Sequence, residues 1–231
     1  MTCAADDRPL GLSIVIPTLN AASHLQATLQ ACMGEYEIIV VDGGSTDETV
    51  LIARQLGAQV ISWQRGRGIQ LRAGAEFAAG EWLLFLHADT VLATGWRDAA
   101  REFIANPAHR ERAATFRFGL DDDCPAARRL EQRVAWRVRH LGLAYGDQGL
   151  LIHRGLYESL GGFRAWPLME DVDLVRRIGR HRLTVLAPRA LTSAQRWRRD
   201  GWRRRSIRNF GCLTLYFIGV PPGIIAKIYD G

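Results

Sequence analysis

The run Glu81-Trp-Leu-Leu-Phe-Leu-His-Ala-Asp89 ends an apolar stretch in a carboxylate. A buried strand with such a tip fixes a charge at the C-terminal edge of a parallel sheet, where open α/β folds bind ligands. Asp42 stands in the same situation, because Glu37-Ile-Ile-Val-Val41 runs into Asp42-Gly43-Gly44-Ser45-Thr46-Asp47. An Asp after a strand commonly caps the next helix or makes a turn, and each one alone reads that way. Two strand-end carboxylates at one edge are less simply explained as two independent caps. Asp89 could hold Mg²⁺ or Mn²⁺, hard cations that keep waters and take one or two carboxylates plus substrate phosphates. Asp42 could accept hydrogen bonds from a base or ribose, and Gly43 and Gly44 let the backbone approach a ligand closely.

Two further clusters carry chemistry. Arg65-Gly66-Arg67-Gly68 leads into a helix expected from Ile69, so a flexible basic loop meets a helix N-terminus and makes a candidate anion site. Pro167-Leu-Met-Glu170-Asp171-Val-Asp173 sets three carboxylates within four residues at a helix start. Acids there complement the helix dipole, which is the structural explanation. A carboxylate there could also take a proton from an attacking hydroxyl, help that typically contributes about 10²–10⁴-fold.

These residues need a frame. Leu12-Ser-Ile-Val-Ile16, Glu37–Val41 and Gln59–Ser62 read as strands, and residues 22–33, 47–56 and 69–79 as helices between them. Strands alternating with helices of about ten to fifteen residues predict a parallel sheet with helices on its faces. The alternation weakens near Arg110 to Pro125. Beyond it the pattern predicts a long helix over 126–141, strands at Leu150–His153 and Thr184–Leu186, and helices at 156–160 and 171–179. An amphipathic helix is expected over Ile207–Ile218, either packed on the domain or lying on a membrane surface.

Composition bounds the partners. The chain has 231 residues, 48% hydrophobic, and a formal charge of +6. Seven arginines and one aspartate fall between Arg196 and Arg208, so the rest of the chain is balanced. Such a block implies an anionic neighbour, or else a solvated helix face with Arg stems over apolar surface. Cys3, Cys32, Cys124 and Cys212 have no metal-ligand spacing and read as free thiols. Met1–Leu10 lacks the apolar core of a secretory signal. No apolar run is long enough to span a bilayer, since Pro221-Pro222 interrupts the best one.

Read in order, the motifs Ile14-Val-Ile-Pro17-Thr18-Leu19-Asn20, Val40-Val-Asp42-Gly-Gly-Ser-Thr-Asp47, Phe85-Leu-His87-Ala88-Asp89, Glu170-Asp171 and Gln195-Arg196-Trp197 resemble family 2 glycosyltransferases of the GT-A fold. Gly146-Asp147-Gln148-Gly149 and Ser193–Trp197 are similar to a short soluble bacterial subgroup. That subgroup is associated by gene neighbourhood with arsenosugar or radical-SAM/selenodomain functions. The resemblance implies a single α/β domain with a mostly parallel central sheet, helices on both faces and a C-terminal amphipathic helix. Residues 10–110 would be its nucleotide-binding half, 111–200 its acceptor half and 201–231 a basic helical segment.

It further implies an inverting, metal-assisted transfer from a nucleoside diphosphate sugar. Pro17, Thr18, Leu19 and Asn20 would line the nucleotide pocket, with Asp42, Gly43 and Gly44 at the base or ribose. Arg67 and Gln70 would border the phosphates. Asp89 matches the last residue of the DxD motif and would bind Mn²⁺ or Mg²⁺ beside His87 and Ala88. The first carboxylate of that motif is His87 here, and the usual acid after Asn20 is Ala21. Asp171 would be the base, with Glu170, Asp147, Gln148, Arg196 and Trp197 around the phosphate and acceptor. The spaced QxxRW motif is compressed to Gln195-Arg196-Trp197. The expected partners are the donor, a small-molecule or lipid acceptor and an anionic membrane surface, with no nucleic acid. The expected location is the cytoplasm, including the inner face of its membrane. A nucleotidyltransferase on a related sheet would want a Gly-rich basic loop where Pro17–Asn20 stands. A non-enzymatic membrane or nucleic-acid binder would use the Arg196–Arg208 block.

Overall fold

A computed structural model describes residues 11–34 and 36–230. Met1–Leu10, which includes Cys3, lies outside them. Eight strands form one sheet: β1 (Leu12–Thr18), β2 (Glu37–Asp42), β3 (Gln59–Ser62), β4 (Trp82–Phe85), β5 (Thr90–Leu92), β6 (Ala113–Leu120), β7 (Leu150–His153) and β8 (Leu183–Thr192). Their order is β3-β2-β1-β4-β7-β6-β8-β5. The ladder is parallel through β3-β2-β1-β4 and again at β6-β8. It is antiparallel at β4-β7, β7-β6 and β8-β5. The parallel region is thus the N-terminal half, and the remainder is mixed.

Helices cover both faces. They are α1 (Ala22–Cys32), α2 (Thr49–Gln55), α3 (Arg67–Phe77), α4 (Trp96–Ala105), α5 (Pro125–Leu141), α6 (Arg154–Ser159), α7 (Glu170–Ile178), α8 (Gln195–Asp200), α9 (Trp202–Phe217) and α10 (Pro222–Asp230). The strand period of two decides which face each residue serves. Leu12, Ile14 and Ile16 turn to Leu25 and Leu29 of α1 and to Trp96 and Phe103 of α4. Val15, Ile39 and Val41 turn to Leu71 of α3, Tyr157 of α6 and Leu174 of α7. Each such buried side chain contributes roughly 1.5–3 kcal/mol relative to exposure. The sheet is held from both sides, and its strand ends are rigid platforms.

Several departures from the sequence expectations have physical causes. The stretch near 110–125 holds β6, inserted between β7 and β8 and buried at every position but Arg117. The strand expected over Thr184–Leu186 continues to Thr192. The register slips where Phe116 pairs Leu186 and Arg117 pairs Arg189, so Ala187 and Pro188 bulge out and the proline needs no ladder partner. The helix expected from Ile207 begins at Trp202. Pro222 does not end helical structure but opens α10, at a first-turn position where its missing N–H costs nothing. Cys212 of α9 and Ile225 of α10 pack with Leu143, Leu168, Met169 and Val172, so the α9–α10 hairpin is docked on the domain. No helix among the described residues is long and apolar enough to cross a membrane. Cys32, Cys124 and Cys212 are free.

Candidate functional site

The C-terminal ends of β1, β2 and β4 meet at one edge, and three polar side chains lock their loops. Asp42 is buried. Its carboxylate accepts from Thr18 Oγ1 at 3.0 Å, from the Gly44 and Ser45 amides at 3.0 and 2.8 Å, and from Ser45 Oγ at 2.5 Å. Gln70, also buried, donates from Nε2 to the Thr18 and Val41 carbonyls at 2.9 and 2.7 Å and accepts from the Gly66 amide at 3.2 Å. A Cβ at Gly43 would sit 3.1 Å from that amide, so Gly43 makes room for Gln70. Asp42 and Gly43 thus shape the loops at this edge.

Beside this scaffold opens a cleft of about 800 Å³. Pro17, Thr18, Leu19 and Asn20, then Arg67, Gln70, His87, Ala88 and Asp89, line it, whereas Asp42, Gly43 and Gly44 are not among its lining residues. Arg65, Arg67, Arg196 and Arg199 face it, with Asp89 as the one carboxylate among the described residues. Four fixed cations around one acid make an anion-binding cleft. Across its mouth, His24 Nε2 of α1 lies 2.9 Å from Gln195 Oε1 of α8.

A recess of about 150 Å³ adjoins the cleft, sharing Arg67, His87, Asp89 and Arg196, and adding Asp147, Asp171 and Trp197. Asp171 opens α7. Its Oδ2 accepts from the Gly146 amide and its Oδ1 from the Val172 amide, both at 2.7 Å. Each oxygen keeps a free lone pair, so the carboxylate is oriented yet able to accept a proton. Asp147 Oδ1 is buried without a partner among the described residues. Burial pushes its carboxyl up to about 6, against the pull of Arg137. Gln148 instead is structural, donating from Nε2 to the Phe116 carbonyl at 3.0 Å.

Glu170 is fully buried, 3.4 Å from Arg67 Nη1. Burial raises it to about 7 although the guanidinium pulls the other way. It positions Arg67 and does not reach the cleft wall. Burial first, then the Arg67 charge, lowers His87 to about 4, so its imidazole is neutral near pH 7. Its Nε2 finds no hydrogen-bond partner and packs on Gly146, where a Cβ would come within 2.3 Å. Among the described residues, no three His, Cys, Asp or Glu side chains stand close enough to hold a metal. Asp89 alone can offer a carboxylate in the cleft. That donor set fits a Mg²⁺ or Mn²⁺ that arrives with a diphosphate, and not one held by the protein alone.

On the far side, Trp197 stacks on Trp202 with centroids 5.7 Å apart, and Arg205 lies over Trp197 at 5.3 Å. Asp200 binds Arg199, Arg205 and Arg208 at 2.8, 2.7 and 2.9 Å. Arg199 first, with the other two, holds its carboxyl far below the usual range. Three of the block's seven arginines are thus paired within it, and Arg198 pairs with Asp122 outside it. Sequence reasoning missed Tyr229, which reaches both cavities, and Asn209, whose buried Oδ1 has no partner beside the recess. Asn209 comes from α9 and Tyr229 through the fold-back of α10, for which the sequence offers only the proline. It also missed Thr90 and Thr192, whose hydroxyls meet at 3.0 Å while Thr192 binds the Asp147 carbonyl at 3.0 Å.

Residues 13–113 match the sequence profile of Glycosyl transferase family 2. A PGL/p-HBAD biosynthesis glycosyltransferase of Mycobacterium tuberculosis is 45% identical over 92 residues, 35% of this chain and 36% of that protein. An uncharacterized glycosyltransferase of the same species is 35% identical over 85 residues, 36% of this chain and 39% of that one. The matched stretch thus spans little more than a third of these relatives. Among solved structures, S. aureus TarS in complex with UDP-GlcNAc has a TM-score of 0.59 at 18% identity, covering 79% of this chain and 58% of that one. The mannosyltransferase PcManGT from Pyrobaculum calidifontis, in complex with GDP-Man and Mn²⁺, has a TM-score of 0.62 at 20% identity, covering 95% of this chain and 68% of that one. Residues 13–113, from β1 to the start of β6, are thus similar to family 2 glycosyltransferases, and the chain shares the GT-A fold of these solved structures.

Proposed function

We propose that this protein transfers a sugar from a nucleoside diphosphate sugar to an acceptor hydroxyl, with inversion at the anomeric carbon. The observation that carries the reading is the junction of the two cavities. An arginine-lined cleft sized for a nucleotide meets a recess that holds an oriented carboxylate, Asp171. The diphosphate lies against Arg67 and Arg196, with the nucleoside along Pro17–Asn20. The acceptor oxygen enters from the recess and attacks the anomeric carbon opposite the diphosphate. Its proton passes to Asp171, the new C–O bond forms, and the old bond breaks with its electron pair leaving on the diphosphate. Arg67, steadied by Glu170, and Arg196 stabilise that charge as fixed donors beside it. A divalent cation bound at Asp89 would supply further charge neutralisation to the leaving phosphates.

Thermal-shift measurements with nucleoside diphosphates and their sugars, with and without Mn²⁺, test the reading. A ligand at about a hundred times its Kd stabilises by roughly 2.7 kcal/mol, a shift of several degrees. No shift with any of the common diphosphates would overturn it.

A further inference from the structure

The α9–α10 hairpin has two unlike faces. The inner face packs Cys212 and Ile225 on Leu168, Met169 and Val172, and brings Asn209 and Tyr229 to the recess. The outer face is uncovered among the described residues. Ile207, Phe210 and Ile218 are 74, 71 and 70% exposed, and Phe217, Ile224 and Ile228 about half. Single exposed apolar residues are ordinary. These are ordered: positions 207, 210, 214, 217 and 218 form one stripe of α9 at helical spacing, with Thr214 its one polar member, and 224 and 228 repeat the pattern on α10. A stripe of this kind marks an interaction surface.

Charge selects the occupant. From Gly201 to Tyr229 the sequence contains no Asp or Glu. Arg203 and Arg204 are exposed one turn before Ile207, and exposed Lys227 lies between Ile224 and Ile228. Asp200 holds Arg199, Arg205 and Arg208, leaving Arg203 and Arg204 without an ion pair among the described residues. A second copy docked about a two-fold axis would bring like charges together. An anionic lipid interface accepts both features, because apolar side chains enter the headgroup–acyl boundary while the cations stay with phosphates.

We infer that the outer face of α9 and α10 docks this protein on an anionic lipid bilayer. One helix diameter, about 10 Å, then separates the lipid from the recess beside Asp171. A lipid-borne hydroxyl is the acceptor class such a placement serves, a step that rests on the transferase reading.

Co-sedimentation of the full chain with vesicles tests the docking. Vesicles of phosphatidylcholine alone are compared with phosphatidylcholine mixed with phosphatidylglycerol, at low and high salt. Binding is expected to the anionic vesicles and to weaken with salt. Arg203→Ala and Arg204→Ala should each lower partitioning about fivefold. Ile207→Glu with Phe210→Glu should abolish it while the unfolding midpoint and the nucleoside-diphosphate shift stay at wild-type values. No binding by the wild type, or binding indifferent to Ile207→Glu and Phe210→Glu, overturns the proposal. So does a dimer in light scattering that those substitutions dissolve without any vesicle binding. Vesicle binding without a nucleotide shift would support docking and count against the transferase reading alone.

Discussion

The two walls of the cleft are fastened by different means. The wall built from residues 17–89 is stitched to the sheet by main-chain partners, through Asp42 and Gln70. The wall built from residues 145–229 is tied mostly by side chains to one another. Asp200 gathers three arginines, and Arg205 reaches from Trp197 to Tyr229, donating to its hydroxyl at 2.9 Å. The family match of residues 13–113 covers the first wall and stops before the second. A main-chain scaffold serves many sequences, whereas a side-chain lattice is particular to its own residues. The first wall therefore falls within the family match, and the second lies outside it.

The comparison can be broken most sharply at Asp171. Asp171→Asn should lower turnover about 10²–10⁴-fold while the nucleotide-induced thermal shift survives. Unchanged turnover would remove the base from the second wall. Arg196→Ala should lower kcat about 10²–10³-fold, with Arg196→Lys recovering part of it, in steady-state kinetics on the same donor. Gln70→Ala attacks the first wall instead. It removes the side-chain bonds to the Thr18 and Val41 carbonyls and to the Gly66 amide, although the Gly43 amide still donates to the Thr18 carbonyl. The expected loss is about 1–3 kcal/mol in urea unfolding, and nucleotide binding should weaken with it. An unaltered midpoint would show that the loops hold without Gln70.

The smallest effect lies between the walls, at the Glu170–Arg67 pair. Glu170 is raised from 4.5 to about 7 in the folded protein. Its stabilising contribution is complete below its unfolded value and is lost as pH rises through about 7. The unfolding midpoint of the wild type relative to Glu170→Gln should therefore fall from about pH 5 to about pH 8. His87, lowered from 6.5 to about 4, works in the opposite sense, but it is present in both proteins and cancels in the difference. A flat difference would mean that Glu170 is ionised throughout.

Much of the first wall was legible because its signals are local. Strand, polar tip and helix follow one another, so Pro17–Asn20, Arg67 and Asp89 fall on the cleft where they were expected. Asp42 falls at the strand end where it was expected, held by Thr18, its neighbour across the β1–β2 ladder, and by Ser45 three residues on. The second wall was less readable. Pro222 reads as an interruption yet sits at a helix start, and the strand expected to end at Leu186 runs on past a bulge that holds Pro188. Tyr229 and Asn209 carry no spacing that ties them to Asp171, because only the docking of α9 and the return of α10 bring them near.

The sheet order has a last consequence, for how this protein meets its own copies. The outermost strands, β3 and β5, are four and three residues long. Each presents few free backbone donors and acceptors to a neighbouring chain. Strand-to-strand zippering, the usual route from a stable sheet to insoluble aggregates, has little template at either side. Crowded solutions should therefore clump, where they clump at all, through side-chain surfaces, and added detergent rather than a β-sheet breaker should disperse them.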